Sequence, residues 1–423
     1  MLVAKFGGTS MGTADSIRKV AAVVKERGIE TVVVSATSGT TDQLIKMGEI
    51  ALAAGDWAQG IDALVQKHDE IIEELGLDLS LEEYYEDLRK LLAGIEMIGE
   101  LSASARDRLM SFGERMSSEI LAELLDYEQV NGFDVMFCDD SYGEGEVDFE
   151  RTGEAVRERC EGKKVVITGF VGRSSAGNYI TLGRGGSDYT GAIVAAVLGA
   201  EELQIWTDVD GVMNCDPRLV KEAKVLEEMS FGEASELAYF GAKVIHPKTI
   251  QPAIEQNIAV RILNTFNPAA VGTLIKDKEG DSLKSVTYKK GITIVNICSS
   301  KLLNARGFIA RIFEVFARNE ISVDVVATSE VSVSLTIDVD VPAAVVNELE
   351  EFSTVKVIED LAIVCLVGDG IRESRGVLGK LFTALDDHNI KMVSLGASKR
   401  NITFLVEAEE AQEVTKKVFN TFF

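Results

Sequence analysis

Histidine is scarce in this chain, with three residues in 423, and cysteine nearly so, with five. Cys138, Cys160, Cys215, Cys298 and Cys365 are scattered, odd in number and without metal-ligand spacing, so reduced thiols are the simple reading. No apolar run reaches the ~18 residues that a membrane span needs. No basic leader or cleavage site precedes the first apolar run, so a soluble cytoplasmic protein is expected. Basic residues are outnumbered 43 to 68 by acidic ones, for a net charge of −25. Such a field repels nucleic acid and anionic membrane, which are therefore not expected as partners. If the ligands are themselves anions, the few cations placed in turns must locally outweigh that field. Each of those cations is then informative.

The hydrophobic fraction, 46%, is ample for the cores of two or more domains at this length. Lys5-Phe6-Gly7-Gly8-Thr9-Ser10 follows the apolar Leu2-Val3-Ala4 and precedes a helix in which Ile17, Val20, Ala21 and Val24 recur at helical spacing. Asp15 lies near the start of that helix and Gly28 at its end. Two glycines at a strand-to-helix turn let backbone N–H groups approach an anion, and Lys5 adds a mobile positive charge. The stretch matches neither common phosphate-loop signature, and a plain tight turn is the competing reading. Thr31 to Ser35 completes a βαβ unit, and Ala36-Thr37-Ser38-Gly39-Thr40-Thr41 puts hydroxyls at the carboxyl end of its second strand. Ligands gather there in open α/β sheets, although a helix cap at Thr41 or nearby would also account for them.

Residues 42–127 read as helical and acidic. Ser111-Phe112-Gly113-Glu114-Arg115 breaks that pattern, with Glu114 reading by itself as a surface residue. Strands are predicted at Phe133–Cys138 and Lys164–Thr168, with a helix at Thr152–Cys160 between them. A second informative stretch is Thr181-Leu182-Gly183-Arg184-Gly185-Gly186-Ser187-Asp188, which runs into the almost wholly apolar Tyr189 to Leu198. A helix apolar all round is buried, so its positive N-terminus opens into the interior beside Arg184, Ser187 and Asp188. A buried Arg184–Asp188 pair is the structural alternative to a ligand site. Glu202 to Trp206 is a further core strand, with Thr207-Asp208-Val209-Asp210-Gly211 at its end and Asp216-Pro217-Arg218 beyond. Helices follow at Ser230–Phe240 and Pro247–Gln256, then a strand at Ala259–Leu263. Between the two helices, His246 reads as a packed residue and Lys243 as the better functional candidate.

Turn formers place a linker at 266–290, after a catalytic domain of residues 1–265. Beyond it the chain repeats itself at an offset of 69 residues. Arg306-Gly307 recurs as Arg375-Gly376, Phe313 as Phe382, Ser329 as Ser398 and Ile337 as Val406. Residues 291–354 and 355–423 are thus two related βαββαβ units, with strands open to exchange between them.

With these residues in place the chain resembles aspartate kinase of the amino-acid kinase superfamily, ending in tandem ACT modules. Lys-Phe-Gly-Gly-Thr-Ser at 5–10, Gly-Arg-Gly-Gly-Ser-Asp at 183–188, and Thr-Asp-Val-Asp-Gly with Asp-Pro-Arg at 207–218 carry the resemblance. It implies an open, mainly parallel sheet sandwiched by helices, followed by two ferredoxin-like ACT units. The implied activity is transfer of the ATP γ-phosphoryl group to the side-chain carboxylate of L-aspartate. By the same resemblance Lys5 binds phosphate and Asp188 organises charge. Nucleotide contacts fall on Lys5, Gly7, Gly8, Ser10, Thr207, Asp208, Arg218 and Lys243. The aspartate substrate falls to Arg184 through a carboxylate, Glu114 through its ammonium, and Ser35, Thr41 and Ser187 through hydroxyls. Met213 stands where many relatives have a tyrosine, so ring stacking and a phenol hydrogen bond to the nucleotide are lost.

The chemistry agrees with the scarcity of histidine. A carboxylate of pKa near 4 is already ionised at neutral pH, so the nucleophile needs no general base. Two anions must instead be brought together and charge absorbed on the transferring group. Mg²⁺ is expected to be held mainly by the ATP phosphates, without a protein cage. The ACT pair implies feedback regulation. Asp324, Thr328 and Glu330 are similar to the effector segment of lysine-inhibited relatives, and two carboxylates suit a ligand with two ammonium groups. Lysine is therefore the expected effector ahead of threonine, although Ala305 replaces a serine found in some lysine-sensitive relatives. A homodimer or dimer of dimers is expected. The rival readings are a glutamate, acetylglutamate or nucleoside monophosphate kinase of the same superfamily, or a non-catalytic ACT amino-acid sensor.

Overall fold

The computed structural model describes residues 1–241, 247–278, 280, 282–299 and 307–423. The chain divides into two compact units: Met1–Val212 with Val244–Asp277, and Met213–Lys243 with Lys278–Phe423. The segment predicted as a linker, 266–290, instead carries the strand Thr273–Lys276 of the first unit and the start of Leu283–Cys298 in the second. Its turn formers interrupt these strands without making a spacer.

In the first unit the β-branched runs of the sequence become a sheet. Neighbours follow the order Glu128–Val130, Val165–Thr168, Thr31–Val34, Leu2–Phe6, Glu202–Thr207, Ala259–Asn264 and Thr273–Lys276. Every pairing is parallel except the last, which is antiparallel. The central strands are buried on both faces, as parallel strands covered by helices must be. The helix Ala14–Arg27 starts at a capping box of Thr13 and Ser16. It ends at Gly28, whose φ of 62° is left-handed and suits a residue without Cβ. The acidic stretch folds as four helices, Thr40–Leu52, Ala58–Leu75, Glu82–Ile98 and Ala103–Leu125, whose apolar stripes form one core with the sheet.

Two local expectations fail here. Phe133–Cys138 is not a strand. Asn131 accepts from the Phe133 N–H at 3.0 Å and caps a one-turn helix, Gly132–Val135, after which Phe137 and Cys138 make only isolated bridges. Residues 111–115 do not interrupt the helical pattern either, because they lie inside the continuous 23-residue helix Ala103–Leu125.

The second unit shows the repeat directly. Its antiparallel sheet runs Val326–Thr328, Ser332–Ile337, Leu283–Cys298, Thr354–Gly368, Asn401–Glu407 and Met392–Leu395. The long central strands pair from Leu283↔Gly368 to Cys298↔Thr354, so each copy's first strand extends into the other copy's part of the sheet. Gly307 and Gly376, related by the 69-residue offset, are the N-caps of Phe308–Arg318 and Val377–Ala384. Arg306 and Ala305 lie outside the described residues. Each copy closes its own apolar core. The helix Phe231–Tyr239, which precedes the repeat by some distance in sequence, belongs to this unit. Its Glu236 accepts from Ser398 Oγ at 2.6 Å and Asn401 Nδ2 at 2.5 Å.

Candidate active site

Parallel strands send their outgoing loops to one edge of a sheet. Here each ladder extends by one bond before the loop turns away. Gly7 N–H donates to the Trp206 carbonyl at 3.0 Å, Ser35 N–H to Phe6 at 3.1 Å, and Gly169 N–H to Val34 at 3.0 Å. The loops enclose a cavity of about 760 Å³ lined by Lys5, Gly8, residues 35–39 and 41, Glu114 and residues 183–187, among others. This is the carboxyl-terminal edge at which open α/β sheets bind ligands.

Lys5 is held there by Asp188. Its Nζ lies 2.6 Å from Asp188 Oδ1, and both side chains are largely buried. Asp188 sits in the first turn of Gly186–Leu198, a helix buried along most of its length and capped by Gly185, so the ion pair also lies against the positive end of a helix. The alternative pairing of Arg184 with Asp188 is not formed. Arg184 is exposed at the cavity wall with no ion-pair partner among the described residues, free to meet an anion.

Read alone, Glu114 is expected on the surface; it is instead 4% exposed and lines the cavity, where the family resemblance implies a substrate contact. Gly113 explains the difference. A Cβ there would stand 2.8 Å from Ala36 Cβ, so the glycine lets its helix approach the hydroxyl-rich loop and puts the next residue into the cavity wall. Burial pushes the Glu114 carboxyl up to about 8, against smaller downward pulls from the Ala36 and Glu114 backbone and from Lys5. Its Oε2 is buried without a hydrogen-bond partner among the described residues. A buried carboxyl with one oxygen unpartnered at a cavity wall suits a cationic group.

The hydroxyl-rich loop is not used up in capping. The helix Thr40–Leu52 begins after Gly39, with no side-chain cap. Ser35, Thr41 and Ser187 all line the cavity.

The remaining nucleotide candidates are dispersed. Gly7 donates to Trp206, the fully buried Ser10 Oγ is 2.7 Å from Thr265 Oγ1, and neither residue lines the cavity. Thr207 Oγ1 donates to Asp208 Oδ1 at 3.1 Å at the end of the neighbouring strand, and neither residue lines the cavity. Arg218 belongs to the second unit, where its exposed guanidinium makes a bidentate pair with Asp216, at 3.0 Å from Nε and 2.8 Å from Nη2. Lys243 and His246 lie outside the described residues.

One wall-building residue escaped the sequence reading. Asp107 is buried and accepts from Gly143 N–H and Thr181 N–H, both at 2.8 Å, and from Thr181 Oγ1 at 3.1 Å. Gly143 and Thr181 line the cavity, but in sequence Asp107 is one carboxylate among many in an acidic helix.

Comparison with known proteins agrees with this geometry. Residues 1–264 match the amino acid kinase family, and residues 295–351 and 364–422 match the ACT domain. The chain is 37% identical over 459 residues to Aspartokinase 1, chloroplastic, of Arabidopsis thaliana, covering 100% of this chain and 80% of that protein. It is 35% identical over 449 residues to Lysine-sensitive aspartokinase 3 of Escherichia coli (strain K12), covering 100% and 99%. This chain belongs to the aspartokinase family. The crystal structure of E. coli aspartokinase III in complex with aspartate and ADP matches it with a TM-score of 0.87 at 34% identity, over 100% of both chains.

An aspartokinase with two ACT copies carries its regulatory candidates in the second unit. There the Asp324 carboxylate accepts from the Tyr239 hydroxyl, while burial raises its pKa. Thr328 ends the edge strand Val326–Thr328, opposite Val333, and both Thr328 and Glu330 are exposed.

Proposed function

We infer that this aspartokinase transfers the γ-phosphoryl group of ATP to the β-carboxylate of L-aspartate at the cavity around Lys5, giving 4-phospho-L-aspartate and ADP. The observation that carries this reading is one cavity lined by Lys5, itself paired with Asp188, by the buried Glu114 and by Arg184, which has no ion-pair partner among the described residues. Arg184 takes the α-carboxylate of the substrate, a pairing suited to a guanidinium fork. Glu114 takes the α-ammonium, and Ser35, Thr41 and Ser187 fix the remaining oxygens. The β-carboxylate, already ionised, attacks the γ-phosphorus as the bond to the ADP oxygen breaks. Lys5, aimed by Asp188, absorbs the charge on the transferring oxygens, with the Gly7-Gly8 turn cradling the phosphates. Gly7, Ser10, Thr207, Asp208, Arg218 and Lys243 are proposed as further nucleotide contacts on family resemblance alone.

Mg²⁺ is proposed to travel on the ATP phosphates. Among the described residues no group of three or more His, Cys, Asp or Glu is arranged to hold a metal, and Asp188 is already paired with Lys5. When bound, the ion neutralises phosphate charge.

Lysine is the proposed effector, held by Asp324, Thr328 and Glu330. Millimolar lysine is expected to inhibit and threonine to leave activity unchanged. Asp324→Asn is expected to raise the half-inhibitory lysine concentration at least about tenfold, the scale of a lost charged hydrogen bond. Indifference of the wild type to lysine would reject the effector, and an unaltered lysine response in Asp324→Asn would reject its site.

A homodimer through the second unit is also proposed. Ile309 and Phe313 in one copy and Leu378 and Phe382 in the other, at the repeat offset, are 37–46% exposed and give each copy an apolar helix face. Sedimentation of Phe313→Glu/Phe382→Glu is expected to show monomer where the wild type shows dimer. The five cysteines are free and four are buried, which suits the reducing cytoplasm proposed for it. No described helix is long and apolar enough to cross a membrane.

A further inference from the structure

Behind the hydroxyl-rich loop, the helix Ala58–Leu75 presents two adjacent side chains to it. His68 is fully buried. Its Nδ1 lies 2.8 Å from the Leu64 carbonyl and its Nε2 3.2 Å from Thr37 Oγ1. A carbonyl only accepts, so Nδ1 carries the proton, and in a neutral ring Nε2 must accept from the Thr37 hydroxyl. Burial lowers the ring's pKa to about 4, which keeps it neutral. Having donated its proton, Thr37 Oγ1 accepts from Thr40 Oγ1 at 2.5 Å, and Thr40 Oγ1 in turn accepts from Lys67 Nζ at 3.0 Å. Lys67 places a second N–H on the Ser38 carbonyl at 2.7 Å. One direction of donation, from Lys67 through Thr40 and Thr37 to His68 and Leu64, satisfies every link.

This series acts on the cavity. Thr37 and Ser38 line it together with Ser35 and Thr41, so the groups fixed from behind, at 37, 38 and 40, are flanked along the loop by the two proposed to face the ligand. Glycine at position 39, with φ 76°, leaves the loop without stiffness of its own at that point. Lys67 is only partly exposed, and burial lowers its pKa, a cost that packing alone would not require.

We propose that Lys67 and His68 are positioning residues of the aspartate subsite: their one-directional series of hydrogen bonds fixes the loop 35–41 so that Ser35 and Thr41 present their hydroxyls to the substrate. This rests on the aspartate contacts proposed above for Ser35 and Thr41.

Steady-state kinetics on the full-length enzyme test it. His68→Leu, Lys67→Met and Thr37→Val are each expected to raise KM for aspartate about tenfold, the scale of a lost buried hydrogen bond, with KM for ATP changed less than about twofold. His68→Leu combined with Thr37→Val is expected to be no worse than either alone, because both break the same link. His68→Gln, which restores an acceptor at similar reach, is expected to recover most of the loss. Equal rises in both KM values, an unchanged KM for aspartate, or additive effects in the double variant would overturn the positioning role. Should His68→Leu fail to fold, the partly exposed Lys67→Met paired with Thr40→Val makes the equivalent cycle at the Lys67–Thr40 link. Ser35→Ala and Thr41→Val separate the two layers. If they leave KM for aspartate unchanged, the subsite assignment falls and the proposal with it. If they raise it while the Lys67, His68 and Thr37 variants do not, the positioning role alone falls.

Discussion

Lys5→Ala is expected to lower kcat/KM roughly a thousandfold, on the order of 4 kcal/mol, with the fold intact. The size follows from the setting. The Lys5 ammonium is largely buried, held 2.6 Å from Asp188, and stands in a molecule whose net charge of −25 repels both reactants. Bulk water could screen two phosphates and a carboxylate, but a cavity wall built mainly of glycines and hydroxyls does so poorly, and with Arg184 proposed for the α-carboxylate, Lys5 carries much of the charge stabilisation on the transferring group. Asp188→Asn should lose less, since the lysine keeps its charge and loses only its aim. Initial rates with both substrates saturating and limiting separate the cases. A loss below tenfold in Lys5→Ala would remove the residue from phosphoryl transfer, and an equal loss in both variants would make the pair a single electrostatic unit.

The second large effect concerns Glu114. Burial lifts its carboxyl to about 8, from 4.5 for a free side chain. Its folded-state pKa is raised, so between about pH 4.5 and 8 the unfolded chain gives up a proton that the folded chain keeps. Stability from this group is fully present below pH 4.5 and is lost as pH rises through 8. Glu114→Gln removes that slope, and the melting temperature of the variant relative to the wild type is expected to climb from pH 5 to 8.5. The substrate adds a testable consequence. An ammonium brought against this carboxyl favours its ionised form, so aspartate binding at pH 7 should release close to one proton and progressively less towards pH 9. Calorimetry in buffers of differing ionisation enthalpy measures this directly. Glu114→Gln is expected to release none and to bind aspartate about ten- to a hundredfold more weakly, as for a lost charged hydrogen bond. Less than a tenth of a proton released by the wild type at pH 7 would show that Glu114 does not receive the ammonium.

Much of this was legible from the residues. Lys5 with its two glycines and Gly183 to Asp188 lie where local chemistry and position in a βαβ unit coincide, and the repeat at 69 residues needed only the sequence. Glu114 was legible only through the family resemblance, not from its neighbours in sequence. A glycine beside a carboxylate reads as a break in a helix, whereas Gly113 serves a close approach to Ala36 across some 77 positions of sequence, visible only once the chain has folded. Lys67 and His68 were hidden for a related reason: their partners at Ser38, Thr37 and Thr40 lie 27 to 31 residues away, and their own helix repeats as an ordinary amphipathic one. Phe133–Cys138 has strand composition, but one Asn131 side chain decided its first turn. The grouping of Phe231–Tyr239 with the second unit goes with Glu233 accepting from Asp369 N–H, Tyr239 donating to Asp324, and Glu236 reaching Ser398 and Asn401, contacts no local pattern announces.

A crystal structure of the enzyme with ADP and L-aspartate bound tests the placement of the chemistry most directly. The expected density puts the nucleotide's terminal phosphate against Lys5 and the Gly7-Gly8 turn, with aspartate between Arg184 and Glu114 and its β-carboxylate facing the phosphate. Both ligands seated elsewhere, with Lys5 still paired only to Asp188 in an empty cavity, would contradict it.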